Sequence, residues 1–211
     1  LSTLNPPLST AMTYAELQSN TLAWQRALKF AGFYRGQLDG ITGPLTREAA
    51  AQWRESHQQL QTRYGRLDKR TEDNLLTLQP LAALKVRQMM TALRGLADWR
   101  LICGLRTYDE QDKLYAKRPK VTNARGGQSM HNFGIAADVC LFRDGRDIWA
   151  PSEGPDSIYK PVAALAHKLG LVWGGDWRSP YDPGHVQLGS LPTATLHRAY
   201  TTGASTLAQL L

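Results

Sequence analysis

"SMHNFGIAADVCLF", residues 129–142, plants one aspartate in an otherwise apolar run, with a histidine seven positions before it. Read as a strand, the run alternates. Ile135, Ala137, Val139 and Leu141 face one way, and Ala136, Asp138 and Cys140 face the other. A carboxylate on an inward face must be paired or hold a metal, because burying it alone is costly or neutralises it. The candidate partner nearest in sequence is His131.

Working outward, "YDPGHVQL" (181–188) sets Asp182 and His185 at the two ends of a Pro-Gly turn. Pro183 followed by Gly184 is the preferred central pair of a type II turn, which brings its end α-carbons within about 7 Å. "HVQL" then alternates as a short strand with a polar face. Upstream, "WRLICGLRTYDEQDKLYAK" (99–117) reads as a strand, a turn at Thr107 and a helix. Two imidazoles and a carboxylate, His131, His185 and Asp138, make a plausible zinc triad with one tetrahedral position open for catalysis. Asp182 beside it is the candidate general base, and Arg106 can hold a substrate carboxylate or a developing oxyanion. The spacing alone also allows histidines that are simply hydrogen-bonded.

The rest of the chain frames these motifs. After a Pro/Ser/Thr leader over 1–12, "TYAELQSNTLAWQRALKFAG" predicts a helix from Thr13 that Gly32 can end. In "LDGITGPLT", Gly40, Gly43 and Pro44 mark a turn and Thr46 can cap the next helix. "YGRLDKRTEDNLLTL" repeats that layout, so residues 13–80 read as a small three-helix unit. From Leu81 a helix carries Leu84, Met89, Met90, Leu93 and Leu96 at core spacing. "RPKVTNARGGQS" (118–129) is a polar loop, "KPVAALAHKLG" (160–170) a helix, and the tail helical packing. Helices and strands mix without βαβ regularity, which predicts an α+β domain over 81–211, a small mostly antiparallel sheet with flanking helices.

With 211 residues the chain can bury a real core, and its net charge of +7 favours anionic partners. The basic residues are scattered, without an aromatic-interleaved platform, so nucleic acid is not the expected partner. No run is long enough to span a bilayer, and no secretory signal is visible. The chain opens at Leu1, so a trimmed signal or anchor is expected to be compatible with it. Strand parity puts Cys103 opposite Arg106 and Cys140 beside Asp138, which argues against a disulfide between the two cysteines. His57, His167 and His197 read as structural or surface groups. Trp173, Trp177 and Tyr181 can line a groove or pack in a core.

Two stretches resemble known families. "LAWQRALKFAGFYRGQLDGITGPLTREAAAQW" is similar to the peptidoglycan-binding domain of cell-wall hydrolases, with Asp39, Gly40, Gly43 and Thr46 on its turn pattern and Trp53 where Phe is usual. "GLRTYDEQDKLYA", "SMHNFGIAADV" and "WGGDWRSPYDPGHVQL", in that order, resemble the VanY-like zinc peptidases. These include D-alanyl-D-alanine carboxypeptidases and the L-alanyl-D-glutamate endopeptidases of phage lysins. Ser129, His131, Gly134, Ala136 and Asp138 match the S-x-H-x-x-G-x-A-x-D hallmark. The resemblance implies one catalytic zinc on His131, Asp138 and His185, with Asp182 as base and Arg106 stabilising substrate. It also implies a site lined by Ser129 and Gln111, to which Trp177 and Tyr181 are added as groove candidates. "DPGH" and "HVQL" depart from the commoner "DxPH" and "HFEL".

An aspartate before the second histidine and the "WGGDW" run favour, by that analogy, the L-alanyl-D-glutamate bond of the stem peptide. The alternatives are D-alanyl-D-alanine carboxypeptidase action and a wall-binding protein with an inactive peptidase domain. The expected enzyme is an endolysin-like monomer with peptidoglycan as partner and no stable membrane insertion. It would act in the periplasm or extracellular space, released on lysis or exported.

Overall fold

The computed structural model describes residues 12–148 and 158–211. Apart from Met12, the leader expected over 1–12 lies outside them.

The helical half begins with α1, Tyr14–Ser19, capped reciprocally by Thr13 and Glu16. The single helix expected from Thr13 to Gly32 is split. Asn20 stops α1, and its side chain accepts from the Ala23 N–H at 3.1 Å to start α2, Thr21–Phe30. The third helix, α3, Pro44–Tyr64, starts two residues before the expected Thr46 cap. Pro44 takes the first-turn position suited to its missing N–H, so Gly43 is the cap and Thr46 lies inside the helix, buried. Asp68 caps α4, Lys69–Leu75, and α5 runs Pro80–Arg94. Four helices, rather than three, therefore occupy residues 13–80.

Among the described residues five strands follow: β1 Trp99–Cys103, β2 Ala136–Arg143, β3 Arg146–Ile148, β4 Val172–Trp173 and β5 His185–Gln187. They form one antiparallel sheet in the order β1-β2-β5-β4, with β3 paired to β2. Between them lie α6, Tyr108–Ala116, capped by Thr107, and α7, Lys160–Lys168; α8, Thr193–Thr202, and α9, Leu207–Leu210, end the chain. The fold is thus a mixed one, a small antiparallel sheet with helices.

The alternation in β2 decides which face meets what. Ala137, Val139 and Leu141 enter the main core with Leu101, Phe133 and Tyr159, while Cys140 packs on the other side with Ile102 and Phe142. Asp138 shares that second side. The main core continues without a break through Trp24, Trp53, Met90 and Tyr200, so the helical half and the sheet bury one apolar interior. Trp53 is fully buried, stacks on His57 and meets Trp24 edge-on at 5.1 Å. Truncating such a residue costs about 3–5 kcal/mol. Met89, Met90 and Leu93 are buried as expected, but Leu96 is 64% exposed because α5 ends at Arg94.

Strand β1 is an edge, and α4 covers it. The Leu101 N–H donates to Thr71 Oγ1 at 3.0 Å, and Asn74 Nδ2 donates to the Leu101 carbonyl at 3.0 Å. Just beyond, the Leu105 N–H donates to Thr77 Oγ1 at 3.0 Å and the Gln79 N–H to the Gly134 carbonyl at 2.8 Å. Backbone groups that an open edge would leave unpaired are satisfied by the helical half. Among the described residues no helix is long and apolar enough to cross a membrane.

Candidate metal centre

Register brings the polar groups of distant motifs side by side. In the β2–β5 ladder Asp138 lies directly opposite His185. His131 arrives from a 3-10 turn, Met130–Phe133, that Ser129 and Asn132 cap reciprocally. Gly134 then takes φ +67°, the left-handed region, to swing the chain into β2, and a Cβ there would crowd the Thr77 carbonyl at 3.2 Å. Three atoms meet as a result. His131 Nε2 lies 3.1 Å from Asp138 Oδ1 and 3.2 Å from His185 Nδ1, which is itself 3.2 Å from Asp138 Oδ1. Tetrahedral zinc with bonds of about 2.0–2.1 Å spaces its ligand atoms about 3.3 Å apart. The donor set fits that ion in both type and spacing.

The outer atoms of both imidazoles are held by partners that fix their tautomers. His131 Nδ1 donates to the Gly104 carbonyl at 2.7 Å, which frees Nε2 as a ligand. His185 Nε2 donates to Gln187 Oε1 at 3.0 Å, which frees Nδ1. Gln187 is oriented in turn, since its amide nitrogen donates to the Gly189 carbonyl at 2.7 Å. Burial by itself would push the Asp138 carboxyl up, but His131 and His185 together hold it well below the usual carboxylate range. Burial would likewise lower His131, yet the Asp138 charge wins and drives it up. A site that holds a proton so strongly between these groups is one that favours a cation.

Asp182 sits at the rim of this cluster. The expected turn is present, its His185 N–H donating to the Asp182 carbonyl at 3.1 Å. It is not type II, because Gly184 does not take the positive φ that such a turn requires. The Asp182 carboxylate has an oxygen within 4.8 Å of an Asp138 oxygen and a His185 ring nitrogen. Burial, and then the Asp138 charge, raise its pKa above the ordinary value, a direction that improves it as a proton acceptor near neutral pH. Gly174 supports this loop from below. Its carbonyl takes the Asp182 N–H at 3.1 Å, and a Cβ on it would come within 2.4 Å of the Asp182 carbonyl oxygen. Trp173 Nε1 donates to the Pro183 carbonyl at 2.8 Å. The "WGGDW" run is therefore the platform for Asp182 and His185.

Arg106 reaches the same cluster. Nη2 lies 3.4 Å from Asp138 Oδ2 and 3.3 Å from Cys103 Sγ, while Nη1 donates to Gln111 Oε1 at 2.9 Å. Its Nε is buried with no partner among the described residues. Parity had put Cys103 and Arg106 on opposite faces. The pairing slips between Leu101 and Cys103 and the strand ends there, so both line the cleft. Cys103 and Cys140 are both free thiols.

These groups floor a cleft of about 560 Å³ whose walls include Ser129, Met130, Trp177, Lys117 and Val121. The Trp177 ring lies 5.0 Å from that of His185. Gln111 corrects the expectation that it lines the site. It is fully buried, receives Arg106 and donates to the Ala124 carbonyl at 2.8 Å, so it positions the arginine and the cleft lip. Tyr181 is not among the lining residues. Nor do the four turn residues of the helical half come near the cleft. Asp39 accepts from Gln25 at 2.8 Å and from the Ile41 N–H, the Gly40 N–H donates to Gln25, and Thr46 is buried beside the same glutamine.

Asn132 was missed by the sequence reading. Its amide nitrogen donates to the Arg106 and Thr107 carbonyls, and its oxygen accepts from Gly127 and Ser129, tying three site segments together. An S-x-x-N capping pattern immediately around His131 was the available signal.

The sequence pattern of the D-alanyl-D-alanine carboxypeptidase family matches residues 122–188, a span that holds His131, Asp138, Asp182 and His185. The peptidoglycan L-alanyl-D-glutamate endopeptidase CwlK of Bacillus subtilis (strain 168) is 37% identical over 118 residues, 49% of this chain and 71% of that protein. The crystal structure of the L-Ala D-Glu endopeptidase ChiX of Serratia marcescens matches with a TM-score of 0.45 and 26% identity, covering 64% of this chain and 92% of that one. On the identity shared with the Bacillus enzyme across most of its length, the chain belongs to the D-alanyl-D-alanine carboxypeptidase family of peptidoglycan metallopeptidases.

Proposed function

We propose that the protein is a zinc peptidase that hydrolyses the L-alanyl–D-glutamate bond of the peptidoglycan stem peptide. One observation carries this reading: His131 Nε2, Asp138 Oδ1 and His185 Nδ1 lie 3.1–3.2 Å apart, with outer atoms anchored and Asp182 alongside. His131, Asp138 and His185 would hold the ion. Zinc with an open fourth position polarises a carbonyl and lowers the pKa of water to about 7. Asp182 takes the proton from the attacking water as its oxygen bonds the alanyl carbonyl carbon. The same carboxyl returns the proton to the glutamate nitrogen as the C–N bond breaks. Arg106, whose guanidinium lies beside Asp138 on the cleft lining, binds the carbonyl oxygen or a substrate carboxylate. Ser129 and Trp177 shape the walls around the peptide.

Asp182 in place of glutamate, the "WGGDW" platform and the activity of the Bacillus relative favour the L-alanyl–D-glutamate bond. The description of the family pattern over 122–188 supports the second reading, release of terminal D-alanine. Residues 13–80 are proposed as the wall-holding half, on the likeness of the "LDGITGPLT" turn to peptidoglycan-binding domains. Holding the wall raises the local concentration of stem peptides without new contacts in the cleft. A monomer acting outside the cytoplasmic membrane, released on lysis or exported, completes the proposal.

The test is a digest of purified peptidoglycan, with mass spectrometry and end-group labelling of the products. New N-terminal D-glutamate is expected, and it should disappear with metal-stripped protein and with Asp182→Asn. Free D-alanine as the sole product would move the assignment to carboxypeptidase, and clearing by metal-stripped protein would end the zinc reading.

A further inference from the structure

The cleft lining carries four charged side chains beside its two histidines: Arg106, Lys117, Asp138 and Asp182. Three of them are already committed. Asp138 faces His131 and His185, and Asp182 is the base of the reaction assigned above. Arg106 is engaged around its planar head. Nη1 donates to Gln111 Oε1 at 2.9 Å, Nη2 faces Asp138 Oδ2 at 3.4 Å and Cys103 Sγ at 3.3 Å, and Nε is buried. A guanidinium grips a carboxylate with two parallel N–H groups. Arg106 has no such pair open, which suits it to a single oxygen, that of the scissile carbonyl.

Lys117 is different. It is the exposed residue that ends α6, and none of the ion pairs or side-chain hydrogen bonds among the described residues uses its ammonium. The cations that follow it are used within the chain. Arg118 Nη1 donates to the Tyr115, Ala116 and Lys117 carbonyls at 3.3, 3.2 and 2.8 Å, so it serves the helix end, where a cation is favoured. Lys120 and Arg125 lie over the Tyr115 ring at 5.1 and 4.8 Å. Leu114, Val121 and Thr122, on either side of Lys117 in sequence, line the cleft with it. An uncommitted ammonium on a flexible stem at that wall is open to an anionic group of a bound ligand.

We propose, resting on the stem-peptide reading above, that Lys117 holds the free carboxylate of the glutamate on the leaving side of the scissile bond. The cleft thereby prefers the acid to its amide. A glutamate joined to alanine through its nitrogen and to the next residue through one carboxyl keeps the other carboxyl ionised at neutral pH. Lys117 takes that charge while Arg106 takes the carbonyl oxygen. The carboxylate does not change during hydrolysis, so the contact is as strong before the transition state as in it and acts on KM rather than kcat.

The experiment compares steady-state hydrolysis of two peptides by the intact, metal-loaded protein. One is N-acetyl-L-alanyl-γ-D-glutamyl-L-lysinamide, and the other is the same peptide with its free carboxyl converted to the carboxamide. The variants are Lys117→Met, Lys117→Arg and, off the cleft lining, Lys120→Met. For the acid peptide, Lys117→Met should raise KM about three- to fivefold, as loss of a solvent-exposed charge pair does, with kcat unchanged. For the amide peptide, wild-type protein should already show the higher KM, and Lys117→Met should not raise it further. Lys117→Arg should restore most of the preference, and Lys120→Met should leave it intact. Added salt should raise KM for the acid peptide with wild-type protein and not with Lys117→Met. Equal KM for acid and amide in the wild type, or a preference that survives in Lys117→Met, would overturn the proposal. So would an equal loss in Lys120→Met, the mark of general attraction by a basic surface. Each of those results leaves the bond assignment standing, because the alanyl–glutamate bond is still cut. Hydrolysis of neither peptide by wild-type protein would overturn both.

Discussion

Two clusters in this chain are built from the same materials, aspartate, amide and glycine, to opposite ends. Around Gln25, polar atoms face one another. Its amide reaches Asp39, the Ile41 carbonyl and Tyr34 Oη, and its oxygen takes the Gly40 N–H. That turn is closed on itself. Around Asp138, the outer atoms are anchored to Gly104 and Gln187, and the inner atoms of His131, His185 and Asp138 converge on one point. Internal saturation makes structure, whereas outer anchoring with inner convergence makes a place for an ion.

The largest effect that would sharpen this contrast comes from Asp182→Asn. Peptidoglycan hydrolysis should fall by about 10²–10⁴, the usual worth of a general base, while bound zinc measured by atomic absorption stays at the wild-type level. Zinc lost together with activity would make Asp182 part of the ligand set and redraw the cluster. Next comes Gln187→Leu, which removes the acceptor that orients His185. Zinc affinity should drop about 10–100-fold in a chelator competition, with little change in melting temperature. An unchanged affinity would show that the outer anchor contributes nothing.

Gln25→Ala tests the closed cluster in the opposite sense. It should lower stability by about 2–3 kcal/mol in urea, because several buried hydrogen bonds go unmade, and leave zinc affinity and kcat on a soluble stem peptide unchanged. A fall in kcat would couple the two clusters. The smallest effect concerns Glu72, which joins Arg87 at 2.6 Å between α4 and α5. Burial would raise its carboxyl, but the Arg87 bonds and the Leu67 N–H outweigh burial and lower it. A carboxyl depressed in the folded state contributes stability that is present above its unfolded value of about 4.3 and is lost as pH falls through the folded one. Glu72→Gln should therefore flatten the loss of stability below about pH 4 in urea titrations. An acid limb identical to wild type would remove Glu72 from that account.

Much of the site was legible locally. The parity of "IAADVCL" separates Asp138 from Ala137 and Val139, and the Pro-Gly pair between Asp182 and His185 demands a tight turn. Thr107 marks the start of α6 within the residue that follows Arg106. These features depend on neighbours along the chain. The errors fell where contacts are long-range. Gln111 is turned inward by Arg106 and Ala124, and Cys103 enters the cleft because the β1–β2 pairing slips beside it. Thr46 is drawn from the cap into the core beside Gln25. Thr71, Asn74 and Thr77, which the pattern presented as an echo of the first turn, bind β1 and its continuation instead.

The amino-acid order alone determined which groups are the candidates for the chemistry and that β2 turns Asp138 away from Ala137 and Val139, because side-chain parity and turn geometry are properties of adjacent residues. Only the tertiary structure decided that Asp138 stands opposite His185, that Gly104 and Gln187 fix the two imidazoles, and that helices and sheet share a single interior. Those depend on pairing register and packing between segments tens of residues apart, where each placement is held by the sum of the others and no local pattern encodes it.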